Sequence, residues 1–261
     1  MSQPSTIDIR EVLLKEVKAH EPVGYATEPL QQGHILDAAA KYLNARQNPG
    51  LEEAILTKWQ DLFRTGLLSW GLNLSNPNPP FFHWTERGRQ ALAHLARDPS
   101  NPAGYLRHLS SIAKLEAVTM SYLTEGLECY VADLFKASMV MVGAAAERII
   151  VNLRDLTVQR LTSLGLPVPK NMEDWRIKTI SDAMRSFFEG QATNFQRALY
   201  ESFQAYWPAF TQQIRRARND AGHPVSVQPV TADTVHASLL IFPELARLSN
   251  NLEDWVAHTL K

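Results

Sequence analysis

Arg218-Asn219-Asp220-Ala221-Gly222-His223-Pro224 stands at the end of a long helical pattern, and its reading decides the fold assigned to the C-terminal half. On an unbroken helix His223 would lie about 140° around the axis from Arg218, at about 100° per residue. Gly222 lifts that restriction, because glycine adopts the left-handed conformation that commonly ends helices. Pro224 then turns the chain away. An Arg on the last turn and a His just beyond it can therefore converge on one phosphate.

Working outward, Phe210, Ile214, Ala217 and Ala221 recur at helical spacing and form the expected core face. Arg215 and Arg218, three apart, share a different face beside Asn219. Taken alone, this would be a solvated basic face. Upstream, Leu127-Glu128-Cys129-Tyr130 leads into Phe135-Lys136-Ala137-Ser138 and the run Met139 to Arg148. Downstream, Thr231 to Trp255 contains Leu239-Leu240-Ile241-Phe242-Pro243. This order resembles the HEPN superfamily, whose signature is an Arg, a polar residue beside it and a His four to six residues on. The resemblance covers roughly residues 118 to 260. It implies an all-helical domain of four or five helices, usually dimeric and often a metal-independent endoribonuclease.

The chemistry expected of such a site assigns roles. Cleavage by 2′-hydroxyl attack on the adjacent phosphorus needs a proton acceptor and charge stabilisation. His223, with an ordinary pKa of about 6.5, exchanges a proton near neutrality. Arg218 keeps its charge and offers a planar donor fork to phosphate oxygens. Asn219 would orient the phosphate or His223, with Arg215 and Asp220 in support. Each chain supplies one such His, so the family's dimer would provide both a base and an acid. Glu147 interrupts an apolar run and is expected half-buried, which calls for a partner. Arg218 and Arg148 are both available, and a surface pair on its own helix is the alternative.

In the N-terminal half the apolar spacing predicts helices near residues 9–17, 33–46 and 51–65, the last two separated by Asn48-Pro49-Gly50. Leu67 to Leu74 reads as a strand, Ser75 to Pro80 as a turn, and Phe81 to Trp84 as the returning strand. Thr85-Glu86-Arg87-Gly88 opens another helix, with Thr85 placed to cap it. Helices, a hairpin and this helix start resemble a winged-helix domain. The third helix mixes Lys58, Gln60 and Arg64 with Glu52, Glu53 and Asp61. The hairpin tip, Asn76 to Pro80, has no Lys or Arg. A DNA reader needs cations on those elements, so a protein-contact or regulatory role is favoured.

The chain has 261 residues, 45% of them apolar, enough for two ordinary domains. A formal charge of −1 excludes a uniformly basic nucleic-acid coat, so any RNA contact must be local. The single cysteine, Cys129, cannot form an internal disulfide and reads as a small buried residue. No signal-peptide core is present, and the longest apolar run, Ser138 to Ala146, is too short to cross a bilayer. No metal-ligand set, P-loop or dinucleotide-type glycine loop occurs. His83 and the six Trp, particularly Trp59, Trp70 and Trp84, read as packing residues.

The expectation is a mainly α protein, with a winged-helix-like domain over 1–98, a linker and connecting helix over 99–117, and a HEPN-like bundle over 118–261. Asp98 to Gly104 reads as the hinge. The C-terminal helices are expected near 120–133, 134–164, 174–188, 192–221 and 231–260, with Pro208 a possible interruption and Pro243 a kink. The expected function is a cytoplasmic, homodimeric endoribonuclease that cleaves RNA without metal or cofactor, of the toxin or phage-defence kind, regulated through its N-terminal domain and a protein partner there. The alternative is a non-catalytic HEPN dimerisation or nucleotide-binding module in a winged-helix regulator.

Overall fold

A computed structural model describes residues 9–20, 31–93, 97–216 and 230–261. The architecture is mainly helical, with one small sheet, and the chain divides into two units, Met1–Arg107 and His108–Lys261.

The first unit begins with α1 (Ile9–Ala19), α2 (Gln32–Tyr42) and α3 (Pro49–Arg64). Asn48 starts α3 by accepting the Leu51 N–H at 3.2 Å, with Pro49 at the first helical position. Strand β1 (Leu68–Trp70) pairs antiparallel with β2 (Phe82–Trp84), placing Leu68 opposite Trp84 and Trp70 opposite Phe82. A further bridge joins Gln31, just before α2, to Phe81. Trp59 is the centre of this unit's core. It is fully buried and meets Phe63 and Phe82 edge-on at 5.2 and 5.1 Å, while Phe63 stacks on Trp70 at 4.0 Å.

The first strand is shorter than the pattern predicts. Gly71, at φ +89°, ends it, and the close approach of Pro77 leaves no room there for a side chain. Asn73 then organises the turn, its Oδ1 accepting the Ser75 and Asn76 N–H groups, each at 2.9 Å. His83 packs at this turn through a hydrogen bond with the Gly71 carbonyl. Helix α4 (Glu86–Ala93) is capped by Thr85, whose Oγ1 accepts the Gly88 N–H at 3.0 Å. Gly88 is required by contact: a Cβ there would stand 2.1 Å from the Leu67 carbonyl oxygen.

The segment read as a hinge is a buried turn within the first unit. Asp98, Ser100 and Asn101 are each under 5% exposed, and Asp98 accepts the Ser100 N–H at 2.7 Å. Buried Arg10 holds this turn, its Nε donating to the Ser100 carbonyl and its Nη2 to Thr65 Oγ1, both at 3.2 Å. Helix α5 (Pro102–Ile112) follows.

The second unit is built from α6 (Ala117–Val131), α7 (Phe135–Ser163), α8 (Ile177–Gly190), α9 (Arg197–Arg216) and α10 (Ala232–His258). Helices α6 and α7 are antiparallel, and Gly126 lets them approach. Its carbonyl accepts the Ser138 hydroxyl at 2.6 Å, and a Cβ there would meet Val142 at 3.1 Å. Helix α10 runs parallel to α7, with Ser238 beside Met139 at one end and the Leu260 carbonyl bound by Arg160 at the other. Phe188, Phe195, Phe203, Trp207, Phe210 and Trp255 form an aromatic cluster between α8, α9 and α10.

Helix α9 continues through Pro208, contrary to the possible interruption. Pro208 and Gln204 are both exposed, so the Gln204 carbonyl that loses its i+4 donor can bond water. Pro243 likewise lies inside α10 without ending it. One tryptophan departs from the packing expectation. Trp175 is 86% exposed, because it lies in the loop between the short 3-10 turn Lys170–Glu173 and α8. Asp174 brackets that loop, accepting the Arg176 N–H at 2.7 Å and both guanidinium donors.

Candidate functional site

Arg218, Asn219, Asp220 and His223 lie outside the described residues. Their flanks are described. Helix α9 ends at Arg216, with Arg215 in its last turn, and α10 begins at Ala232. Thr231 caps α10, its Oγ1 accepting the Thr234 N–H at 3.2 Å. One turn further on, His236 Nδ1 lies 2.9 Å from the buried Tyr130 hydroxyl, which joins the start of α10 to the end of α6.

Glu147 is half-buried on α7, but it is not paired with Arg148. Neighbouring helical side chains diverge by about 100°, and Arg148 reaches across to α6. There it makes a two-pronged hydrogen bond to Glu116, with Nε to Oε1 and Nη2 to Oε2, the latter at 3.2 Å. Hydrogen bonding by Arg148 holds the Glu116 carboxyl below its ordinary range, outweighing the desolvation that opposes it, and Asn152 adds to the effect. Glu116 is also the residue immediately before α6 begins, where the helix dipole favours negative charge.

This pair borders a groove of about 390 Å³ within the second unit. The segment ahead of α6 supplies Lys114, Leu115 and Glu116, α6 supplies Thr119, α7 supplies Ile149, Asn152, Asp155, Leu156 and Gln159, and α10 supplies Glu253. Asn250 fixes the entry, accepting the Lys114 N–H at 2.5 Å and donating to its carbonyl at 3.0 Å. Asp155 is paired with Arg154 at 2.6 Å.

Glu253 differs from the other two carboxylates. It is half-buried, and among the described residues the only polar contact its carboxylate shows is the Ser249 hydroxyl, donating at 3.1 Å. Burial raises its pKa, Ser249 opposes the shift, and the charges of Asp254 and Glu116 add to it. No cation among the described residues offsets it. Thr119 is fully buried on the same groove, and its hydroxyl has no hydrogen-bond partner among the described residues. Such a lining recognises polar ligands and offers apolar walls, and neither Cys nor His is among its described residues. Among the described residues no group of three or more His, Cys, Asp or Glu is placed to hold a metal ion.

Sequence reasoning missed this groove. The available signal was Glu253 standing between buried Leu252 and Val256, with Ser249 one turn behind. Among the described residues, no helix is long and apolar enough to cross a membrane. Comparison with protein-family models, with curated proteins and with solved structures gives no match for this chain.

Proposed function

We propose that the chain is a HEPN-type endoribonuclease that cleaves RNA without a metal ion and acts as a homodimer in the cytoplasm. The observation that carries this reading is the Arg218-to-His223 sequence between α9 and α10, in a unit whose described elements are all helical. In the proposed reaction one His223 removes the 2′-hydroxyl proton, and O2′ bonds to phosphorus. The bond to O5′ breaks, and the second subunit's motif protonates it. The products are a 2′,3′-cyclic phosphate and a 5′-hydroxyl. Arg218 neutralises the non-bridging oxygens and Asn219 orients them, with Arg215 and Asp220 adding local polarity. Glu147, half-buried on α7 and not engaged by Arg148, is the carboxylate assigned to Arg218.

The first unit supports a regulatory role. Three helices, a hairpin and a fourth helix, with Gln31 bridged to Phe81, favour the winged-helix-like reading. Its hairpin tip has no cation, which favours a protein partner over DNA in a toxin or phage-defence setting. The test is incubation of purified protein with mixed RNA and a chelator, beside Arg218→Ala and His223→Ala. Cyclic-phosphate ends produced by the wild type alone support the proposal. An inert, folded wild-type dimer, or equal cleavage by both variants, counts against it.

A further inference from the structure

We propose that the groove between α6, α7 and α10 binds a small organic cation, an aliphatic amine or guanidinium whose charged head meets Glu253 and whose methylenes lie along Leu115, Ile149 and Leu156. Three carboxylates line the groove, and two already have partners: Glu116 is held by Arg148 and Asp155 by Arg154. Glu253 is left under the like charges of Asp254 and Glu116 with one neutral donor, Ser249. Lys114 lines the same groove but is exposed, and its charge is not among those that act on Glu253. A half-buried carboxylate among like charges is costly, and a cation is the ligand that relieves it.

The second observation is independent of charge. Thr119 Oγ1 is sealed from solvent on this groove with no partner among the described residues. A buried hydroxyl without a hydrogen bond loses its hydration with nothing in return. An amine or guanidinium carries several donors, so one that displaces the packing over Thr119 can serve this hydroxyl as well as Glu253. The apolar walls set the rest of the ligand. Leu115, Ile149 and Leu156 offer nothing to a compact hydrated ion such as sodium, but they cover an aliphatic chain. The volume of about 390 Å³ lies within the usual range of small-ligand sites. None of this depends on the nuclease proposal.

The experiment is titration calorimetry of the full chain with putrescine, agmatine and an end-blocked Arg-containing peptide, each in buffers of different ionisation enthalpy. Wild type should bind at least one probe at pH 7.5. Glu253→Gln should weaken it about tenfold, as expected for losing one charge-assisted hydrogen bond. Thr119→Val, matched in shape, should weaken it less. Thermal melting of both variants confirms that they fold. Binding of a free amine identifies a diffusible cation, whereas binding confined to the peptide identifies a protein side chain as the source. Either result, if lost in Glu253→Gln, supports the site. Binding to none of the probes, or binding unchanged by Glu253→Gln, overturns it.

Discussion

Arg148 spans the antiparallel α6–α7 pair to grip Glu116 with two guanidinium nitrogens, 32 residues back along the chain. Both side chains are about one third exposed, so water screens much of the attraction. Arg148→Ala should therefore cost only about 1 kcal/mol of stability in urea unfolding. Its diagnostic effect is on pH dependence. Glu116 has a lowered carboxyl in the folded chain, so the pair's stabilisation is present above the unfolded carboxylate range and is lost as pH falls through the folded value. Arg148→Ala should flatten that acid limb, and a limb identical to wild type would show that the pair contributes nothing.

Glu253 gives the opposite sign. Its carboxyl is raised, so the folded state holds the proton more tightly than the unfolded chain. The folded chain is then penalised as pH rises from the unfolded carboxylate range through the folded value. Glu253→Gln should raise the melting temperature at pH 7.5 by about 2–4 °C, the shift that a stability change on the order of 1 kcal/mol gives at this chain length. The gain should shrink as pH falls to and below the ordinary carboxylate range, because the raised carboxyl takes up its proton before that range is passed. A gain that persisted there would point to packing rather than charge.

Gly88→Ala tests the contact that seats α4 against Leu67 and the Trp84 ring of β2. The new methyl would stand 2.1 Å from the Leu67 carbonyl oxygen and 2.8 Å from the Trp84 ring. Backbone must move, and overpacking of this kind costs roughly 3 kcal/mol or more. The tryptophan emission of the first unit should redden at lower urea than in wild type. An unchanged midpoint would mean that α4 is not seated as described.

Local chemistry in the sequence carried much of the framework and little of the groove. Asn48-Pro49 starts α3, Thr85 caps α4, and Asn73 turns the hairpin, all through bonds within three residues. These are legible because the partner is next door. Arg148 chose Glu116 over its neighbour Glu147, and Asn250 clamps Lys114 across 136 positions, which no spacing rule encodes. Pro208 looked like a break because the pattern does not reveal that Pro208 and Gln204 both lie on the exposed face of α9. Trp175 looked like core because aromatic content alone does not distinguish a helix face from a bracketed loop. Of the motif that led to the nuclease reading, Arg218 to His223 lies outside the described residues, so its chemistry rests on sequence.

That chemistry makes a kinetic prediction. If two subunits each contribute His223, one as base and one as acid, the rate constant should follow a bell-shaped pH profile, because one imidazole must be neutral and the other protonated. His223→Ala should lower it by about 10²–10⁴. A mixed dimer with one wild-type and one His223→Ala subunit separates a shared site from two independent ones. Independent sites would leave half the activity of the wild-type dimer. A shared site has lost either its acid or its base, so its activity should fall far below half and its pH profile should keep one limb only. Measuring initial cleavage rates of co-expressed, differently tagged subunits across pH 5 to 9 decides between them, and a mixed dimer at half activity with both limbs intact would refute the shared site.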